Sequence, residues 1–505
     1  MLSVAEDTDA DSTIGYYFGK LEIENELSYG SSDYLPSRRK CDSFDQDIAQ
    51  LTKLQSRPNE HFSCVSPGNR EFPVSTLKML AGREANLSGR GRFSLPDCRH
   101  VLSRYLPVNG PWIVDQMSTR AYVSQFSDDG SLLIAAFQGS QIRIYDVERE
   151  WKVRKNILAR SLRWTITDTS LSPDQRCLVY ASMSPVIQIV DAGSSTSESL
   201  ANITVDFCGD MLLAVASVSC RKSTTVWISL LRMMGDTLSE SFLCNSLLLA
   251  KKLWLEAAMG IYTFVTSTRK KLTYYLSSFS YYLLMLMLMS CLQSDVNSVC
   301  FVDESGNLIC SGSDDSFCKV WDRRCFAGSG KPAGVLMGHL EGITFTDSRR
   351  DGRYLITNSK DQSIKLWDLR KMSPNSVCYR GYRNYEWDYR WMNYPQRAKD
   401  FKHPHDQSVA TYKGHSVLRT LIRCYFSPQY STGQKYIYTG SHDSCIYIYD
   451  LVSGAQVAKL QHHGSTVRDC SWHPTYPVLV SSAWDGEVVK WEFPGNGEST
   501  ISNTK

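Results

Sequence analysis

The chain has 505 residues and a formal net charge of +3, with 55 Lys+Arg against 52 Asp+Glu. That length accommodates one large repeat domain plus extra segments, and the balanced charge excludes bulk electrostatic binding to nucleic acid. Its 16 cysteines form no Cys-x-x-Cys pair. Cys300, Cys310, Cys318 and Cys470 fall in apolar strand patterns and read as buried thiols of a reducing compartment, with no metal centre implied.

Residues 1–42 are rich in Ser, Asp and Gly and without periodicity, which predicts a disordered tail; Glu6, Asp7, Asp9 and Asp11 near the start argue against a secretory leader. Residues 43–110 read as short helices. Ser43 is placed to cap the first, with Ile48, Leu51 and Leu54 on one face. A second follows Pro73, and a third covers Cys98 to Leu106.

Strand patterns begin near Trp112. Two alternating apolar runs surround the turn Ser127-Asp-Asp-Gly130 and lead to Ile142-Arg-Ile-Tyr-Asp146, the first blade of a propeller. A second ends at Ile187-Gln-Ile-Val-Asp191. Later units end at Trp321-Asp322, Trp367-Asp368, Tyr449-Asp450 and Trp491-Glu492, and Gly338-His339, Gly414-His415 and His462-His463 precede the last three. The near-copies Asp315-Ser-Phe-Cys-Lys-Val-Trp-Asp-Arg-Arg324 and Asp361-Gln-Ser-Ile-Lys-Leu-Trp-Asp-Leu-Arg370 lie about 46 residues apart, the period of a WD-type blade. The fold class is therefore all-β: a seven-bladed WD-repeat β-propeller over residues 111–498. The chain ends soon after the third strand of the last blade, so the missing outer strand is expected from Trp112 to Gln116, which would leave no open edge.

One blade is out of pattern. Between Asp191 and Asp322 lie about three repeat lengths, yet residues 203–292 lack the turn and Trp-Asp pattern. An uncharged run from Leu272 to Gln293, flanked by Lys270 and Lys271, meets the length requirement of a membrane helix. A closed soluble ring cannot admit a bilayer through its wall, so the preferred expectation is an irregular segment replacing most of blade three, with lower stability and exposed Leu and Met surface.

Thr357, His339, Asp361 and Trp367 could be mistaken for a hydrolase triad. Asp315, Asp443 and Asp485 fill the same turn position as Asp361 in other blades, and a constellation repeated blade after blade is a scaffold, in which buried polar groups satisfy one another. No phosphate loop, metal-spaced His pair or nucleophile elbow is present, so neither catalysis nor a cofactor is expected. Arg324 and Arg370 differ. Each follows Trp-Asp by two positions, where the strand leaves its sheet, and offers a planar fork of donors at the rim. Two readings stand: an interface, or a local ion pair with Asp322 or Asp368. A second interface candidate is the insertion 372–412, whose Tyr382, Arg383, Tyr385, Trp387, Arg390 and Trp391 are residue types that anchor interfaces. Folding back over the propeller's own face is the other reading, and Glu386 and Asp388 argue against nucleic acid there.

The two Asp-x4-apolar-Trp-Asp-x-Arg boxes resemble the docking boxes of the WD-repeat substrate receptors of cullin-4 ubiquitin ligases, the DCAF proteins. Gly338-His-Leu-Glu-Gly-Ile-Thr344, Asn384-Tyr-Glu-Trp-Asp-Tyr-Arg-Trp391, Gly414-His-Ser-Val-Leu-Arg-Thr-Leu-Ile-Arg-Cys424 and His462 to Gly495 resemble the eleventh-member type and its plant LEC-type relatives. The likeness covers about residues 43–202 and 294–498. It implies binding to the damaged-DNA-binding adaptor protein, and through it to the cullin-4 scaffold, by Asp315, Trp321, Asp322, Arg324, Asp361, Trp367, Asp368 and Arg370. Within that set Trp321 and Trp367 would hold the blades and the two Arg would make the contact. Another surface would present an unidentified protein for ubiquitination, in the nucleus and cytoplasm, with no chemistry by this chain, no direct nucleic-acid contact and no membrane. The alternative is a WD-repeat scaffold of some other complex.

Overall fold

The computed structural model describes residues 43–56, 76–85, 89, 91–139, 141–159, 165–172, 175–182, 186–192, 198–200, 203–206, 295–325, 331–374 and 385–493. The chain divides into two compact units, Met1–Gln46 and Asp47–Lys505. The first is described only at residues 43–46, the start of a helix, and every described strand belongs to the second. The expected disordered tail and the Leu272 to Gln293 run lie outside the described residues. Among the described residues no helix is long and apolar enough to cross a membrane.

Among the described residues three helices precede the strands: α1 (Ser43–Gln55), α2 (Thr76–Glu84) and α3 (Leu95–Leu102). In α1, Ile48 is buried and Leu51 packs beside it, but Leu54 is half exposed, so the buried stripe is narrower than the i, i+3 spacing suggests. The third helix begins earlier than Cys98. Ser94 and Asp97 form a reciprocal capping box, with the Ser94 amide donating to Asp97 Oδ2 at 2.9 Å and Pro96 in the first turn.

The strands build six sheets among the described residues. Blade one is β2 (Ala121–Phe126), β3 (Leu132–Phe137), β4 (Gln141–Asp146) and β5 (Lys152–Leu158), with β9 (Glu198–Leu200) added parallel to β5. Blade two is β6 (Ile166–Leu171), β7 (Cys177–Ser182), β8 (Val186–Asp191) and β10 (Ile203–Asp206). Residues 203–206 therefore supply blade two's outer strand rather than opening the atypical segment, because their extended backbone pairs antiparallel with Val186 to Ile189. Blade four is β11 (Val296–Phe301), β12 (Leu308–Ser313), β13 (Cys318–Asp322) and β14 (Gly334–Leu336). Blade five is β15 (Ile343–Ser348), β16 (Tyr354–Ser359), β17 (Ser363–Asp368) and β18 (Ala410–Lys413). Blade six is β19 (Cys424–Phe426), β20 (Tyr436–Gly440), β21 (Cys445–Asp450) and β22 (Gln456–Gln461). Blade seven is β23 (Val467–Trp472), β24 (Val478–Ala483) and β25 (Glu487–Glu492), completed by β1 (Asn109–Gln116). The insertion 372–412 is thus shorter than its sequence bounds, since residues 410–412 pair with Ile364 to Leu366 as blade five's outer strand.

The closing strand β1 is the one expected from the sequence. Trp112 pairs with Lys490, Ile113 with Val489 and Gln116 with Glu487, so the start of the strand region covers the last sheet's edge. Asp115 on β1 accepts from Arg143 and from the Tyr145 hydroxyl of blade one, which ties the closure to the next blade.

Side chains alternate between the two faces of each strand, so a blade can bury apolar groups against both neighbours. On β16, Leu355 points toward blade four, joining Cys310, Val320 and Trp367, while Tyr354 and Ile356 point toward blade six with Ile437 and Tyr449. Similar clusters join blades six and seven, seven and one, and one and two. Ile48 of α1 enters the seam between blades five and six.

Candidate functional site

Each blade has two ends. At the turn end the second strand reverses into the third; at the exit end the third strand leaves the sheet. The two near-copy boxes run from one end to the other, and this separates their residues.

At the turn end, Asp361 and Asp315 are buried. Asp361 Oδ2 meets His339 Nδ1 at 2.9 Å and accepts the Leu340 amide at 3.1 Å, while Oδ1 accepts the Ser363 amide and hydroxyl. His339 Nε2 meets Thr357 Oγ1 at 2.6 Å, and that oxygen accepts the Trp367 indole N–H at 2.7 Å. Burial by itself pushes the Asp361 carboxyl up, but His339, Ser363 and Lys365 together hold it far below its usual range. Blade seven repeats the relay: Asp485 to His463 at 3.0 Å, His463 to Ser481 at 2.8 Å, Trp491 to Ser481 at 3.0 Å. A relay whose hydroxyl already accepts an indole proton and whose histidine, hydroxyl and indole are buried has no room for a substrate, so these are scaffold groups.

The repetition is less complete than the sequence suggests. In blade four, Trp321 donates to Ser311 at 3.0 Å and Asp315 pairs with Lys319 at 2.7 Å, without a histidine. In blade six, Tyr449 replaces the Trp. His415 turns to the Tyr449 hydroxyl at 3.3 Å and to Asn358 of blade five at 3.0 Å, while Asp443 takes the Tyr447 hydroxyl at 2.6 Å. Burial lowers the His415 pKa to about 4. The ligand atoms of His463, Asp485 and Glu487 lie within 4.8 Å of one another, a spacing a cation could use. Both His463 nitrogens are engaged in the relay and Glu487 meets His462 at 3.1 Å, so the three act as separate hydrogen-bond groups.

At the exit end, Arg324 and Arg370 occupy the same position on consecutive blades. Arg324 Nε and Nη2 fork onto Asp322 at 3.0 and 2.7 Å, and the Asp322 carboxylate also accepts the Arg324 amide at 2.9 Å. The Arg324 side chain is 65% exposed, and the bonds it donates hold the Asp322 carboxyl below its usual range. Arg370 forks onto Asp368 in the same way, with Nη2 at 2.8 Å, and is 49% exposed. Asp368 is sealed and also receives Arg353 at 3.2 Å; its desolvation outweighs the opposing Arg353 and Lys371 charges and raises its carboxyl pKa. Asp47 of α1 binds Arg353 at 2.8 Å and Arg370 at 3.2 Å.

Of the eight docking candidates, Trp321 and Trp367 are fully buried, as their blade-holding role requires. Asp315, Asp361 and Asp368 are buried too. A partner at the exit end cannot touch Asp315 or Asp361, which sit at the far end of their strands, and reaches Asp368 only through Arg370. Asp322, Arg324 and Arg370 remain accessible. Asp47 and Arg353 join this surface without any sequence signal, since each lies far from the boxes in the chain or outside them.

Within the insertion, Tyr382 and Arg383 lie outside the described residues. Tyr385 and Trp387 fold inward around Tyr394, Ala398 and Leu418, with Trp387 edge-on to Tyr394 at 5.0 Å. Arg390 and Trp391 are exposed, Trp391 by 86%. Part of the insertion therefore folds inward and part projects outward.

The family model for the WD domain, G-beta repeat, matches residues 287–322, 330–368, 406–450 and 454–492, which makes the class of the protein a WD-repeat β-propeller. The chain is 54% identical to the LEC14B protein of Lithospermum erythrorhizon over 97% of its own length and 98% of that protein's. It is 56% identical to the LEC14B homolog of Prunus armeniaca over 93% and 92%. It is 31% identical to the DDB1- and CUL4-associated factor 11 homolog of Caenorhabditis elegans over 90% and 74%. The chain belongs to the family formed by the LEC14B proteins and the homologues of DDB1- and CUL4-associated factor 11.

Proposed function

We propose that the chain is the substrate-receptor subunit of a cullin-4 RING E3 ubiquitin ligase, docking on the damaged-DNA-binding adaptor through Arg324 and Arg370 and presenting a protein for ubiquitination. It performs no chemistry itself; it raises the local concentration of a substrate near the ligase, in the nucleus and cytoplasm. The observation that carries this reading is the placement of two exposed guanidinium forks at the same end of consecutive blades. Each is oriented by the Asp two residues earlier, so little side-chain entropy is left to lose on binding. The relatives named for association with DDB1 and CUL4 support the choice of partner.

Changing both Arg324 and Arg370 to Ala should cost a few kcal/mol of adaptor binding by hot-spot magnitudes while leaving the melting temperature within a degree or two, about the effect of losing exposed ion pairs. Adaptor that co-purifies undiminished with the double variant refutes the docking role. The same Asp–Arg pairs favour the second reading, a WD-repeat scaffold of another complex, if the forks serve only to brace the strand exits. In that case the double variant loses stability and not the adaptor.

A further inference from the structure

The ring's turn end carries a second surface. In four blades the residue just after the second strand donates its amide to the carbonyl just before the first strand: Gln138 to Arg120, Asp314 to Asp295, Lys360 to Gly342 and Trp484 to Thr466; in blade six His442, two residues past β20, donates instead to Ser416 in the loop before β19. These positions lie at the turn end, beside the first strand of each of these blades. Blades four and five neutralise each other there, since Lys360 pairs with Asp314 at 2.7 Å. Blades six, seven and one do not. Arg419 is exposed and donates its backbone amide to the Tyr389 carbonyl at 2.8 Å; burial first, and the Arg419 charge after it, lower the pKa of nearby His442. His442 meets Thr466 at 2.8 Å, the residue that also anchors Trp484, and the exposed Arg120 guanidinium lies 4.4 Å from the Trp484 ring centroid. Neither Arg120 nor Arg419 makes an ion pair with a carboxylate among the described residues. The Trp484 indole N–H is likewise without an acceptor. Beside Arg419, the Asp388 to Met392 turn projects Trp391.

We propose that this arc, Arg120, Trp484, His442, Arg419, Tyr389 and Trp391, is the receptor's recognition surface and that it takes an acidic peptide segment of the substrate protein. Two unmatched guanidiniums, each set against an aromatic or a polar backbone group, complement carboxylates. The exposed Trp391 indole offers an apolar anchor beside them. A nucleic-acid strand is the weaker fit, because Glu386 and Asp388 adjoin the same turn and the chain's net charge is only +3. The inference rests on the chain being a substrate receptor, but its surface is at the opposite end of the blades from Arg324 and Arg370, so the two can be tested apart.

The test is fluorescence anisotropy of the full chain with a labelled peptide of Glu interspersed with Tyr and Leu, the same peptide with Gln for every Glu, and a single-stranded oligodeoxynucleotide. The Glu peptide should bind, about tenfold or more tighter than the Gln peptide, and weaken as salt rises. R120E/R419E should lose about tenfold or more of that binding while retaining the adaptor; R324A/R370A should do the reverse. Where melting shows the charge reversals to be unfolded, R120Q/R419Q gives the same reading. Absent binding, equal binding of the two peptides, variants that bind as the native chain does, or tighter binding of the oligonucleotide would each overturn the proposal.

Discussion

Blades four and five carry almost the same box, and the structure treats them differently. Arg324 has one partner, Asp322, and stands free in solvent. Arg370 makes the same fork, but its Asp368 is sealed and shared with Arg353, and Asp47 arrives from α1. At the turn end the contrast continues: blade five has the complete His339–Thr357–Trp367 relay and receives His415 from blade six, whereas in blade four Trp321 donates to Ser311 with no histidine beside them. A repeated motif thus sets the local geometry of a blade, while neighbours decide how firmly that blade is held and how much of its rim a partner can use.

The largest test of this difference is to shorten the two indoles. Trp367→Phe keeps most of the packing but strands Thr357 and leaves the His339 relay incomplete, at roughly 2–3 kcal/mol for buried groups left unsatisfied. Trp321→Phe removes the bond to Ser311 but breaks no histidine relay, and should cost about half as much. Equal shifts of the denaturant midpoint for the two variants would mean that the relay adds nothing to blade five.

Next is acid. His415 has its folded pKa depressed to about 4 by burial, below the ordinary value of 6.5, so the unfolded chain binds its proton first. Its contribution to stability is complete above pH 6.5 and is lost as pH falls through the window down to about 4, on the order of 1.4 kcal/mol per pH unit. Asp361 adds a loss only at more acid pH, because its folded pKa lies below the unfolded carboxylate value. Melting curves at pH 7 and pH 5 should therefore separate, and His415→Gln should flatten the difference. A slope that survives the substitution would assign the acid sensitivity to other groups.

The smallest effect is at the rim. Asp47→Asn should loosen α1 over blade five by less than about 1 kcal/mol, as expected of a half-exposed ion pair. Hydrogen exchange of the α1 amides should rise while blade four's exchange is unchanged. Protection of α1 that does not move would show that Ile48 and Leu51, rather than Asp47, hold the helix.

Much of the architecture was legible because it is periodic. The spacing of Trp-Asp and its variants Tyr449-Asp450 and Trp491-Glu492 located blades four to seven, and β1 covers the edge of blade seven as expected. The exit position of Arg324 and Arg370 followed from strand direction. Burial within the boxes was harder to read: Asp315 and Asp361 share a motif with the two Arg yet lie at the other end of a strand, where a tight turn and a histidine enclose Asp361. His462-His463 followed the relay pattern, but Gly414-His415 did not, because Tyr449 cannot close the relay that a Trp closes.

The sequence by itself determined the repeat, the class of fold, the scaffold chemistry of the turns and the two rim arginines, since each depends on residues within one strand or one tight turn of each other. Only the tertiary structure decided that Asp47 shares Arg370, that Arg423 of blade six reaches across to Asp168 of blade two at 3.1 Å, and that Arg120 lies over Trp484 while Arg419 stands without a carboxylate. Those juxtapositions join residues hundreds of positions apart. Arg120 meets Trp484 because blades one and seven are brought together, Asp47 meets Arg370 because α1 packs over blade five, and Arg423 reaches Asp168 from blade six to blade two; nothing in local spacing encodes which charges then meet.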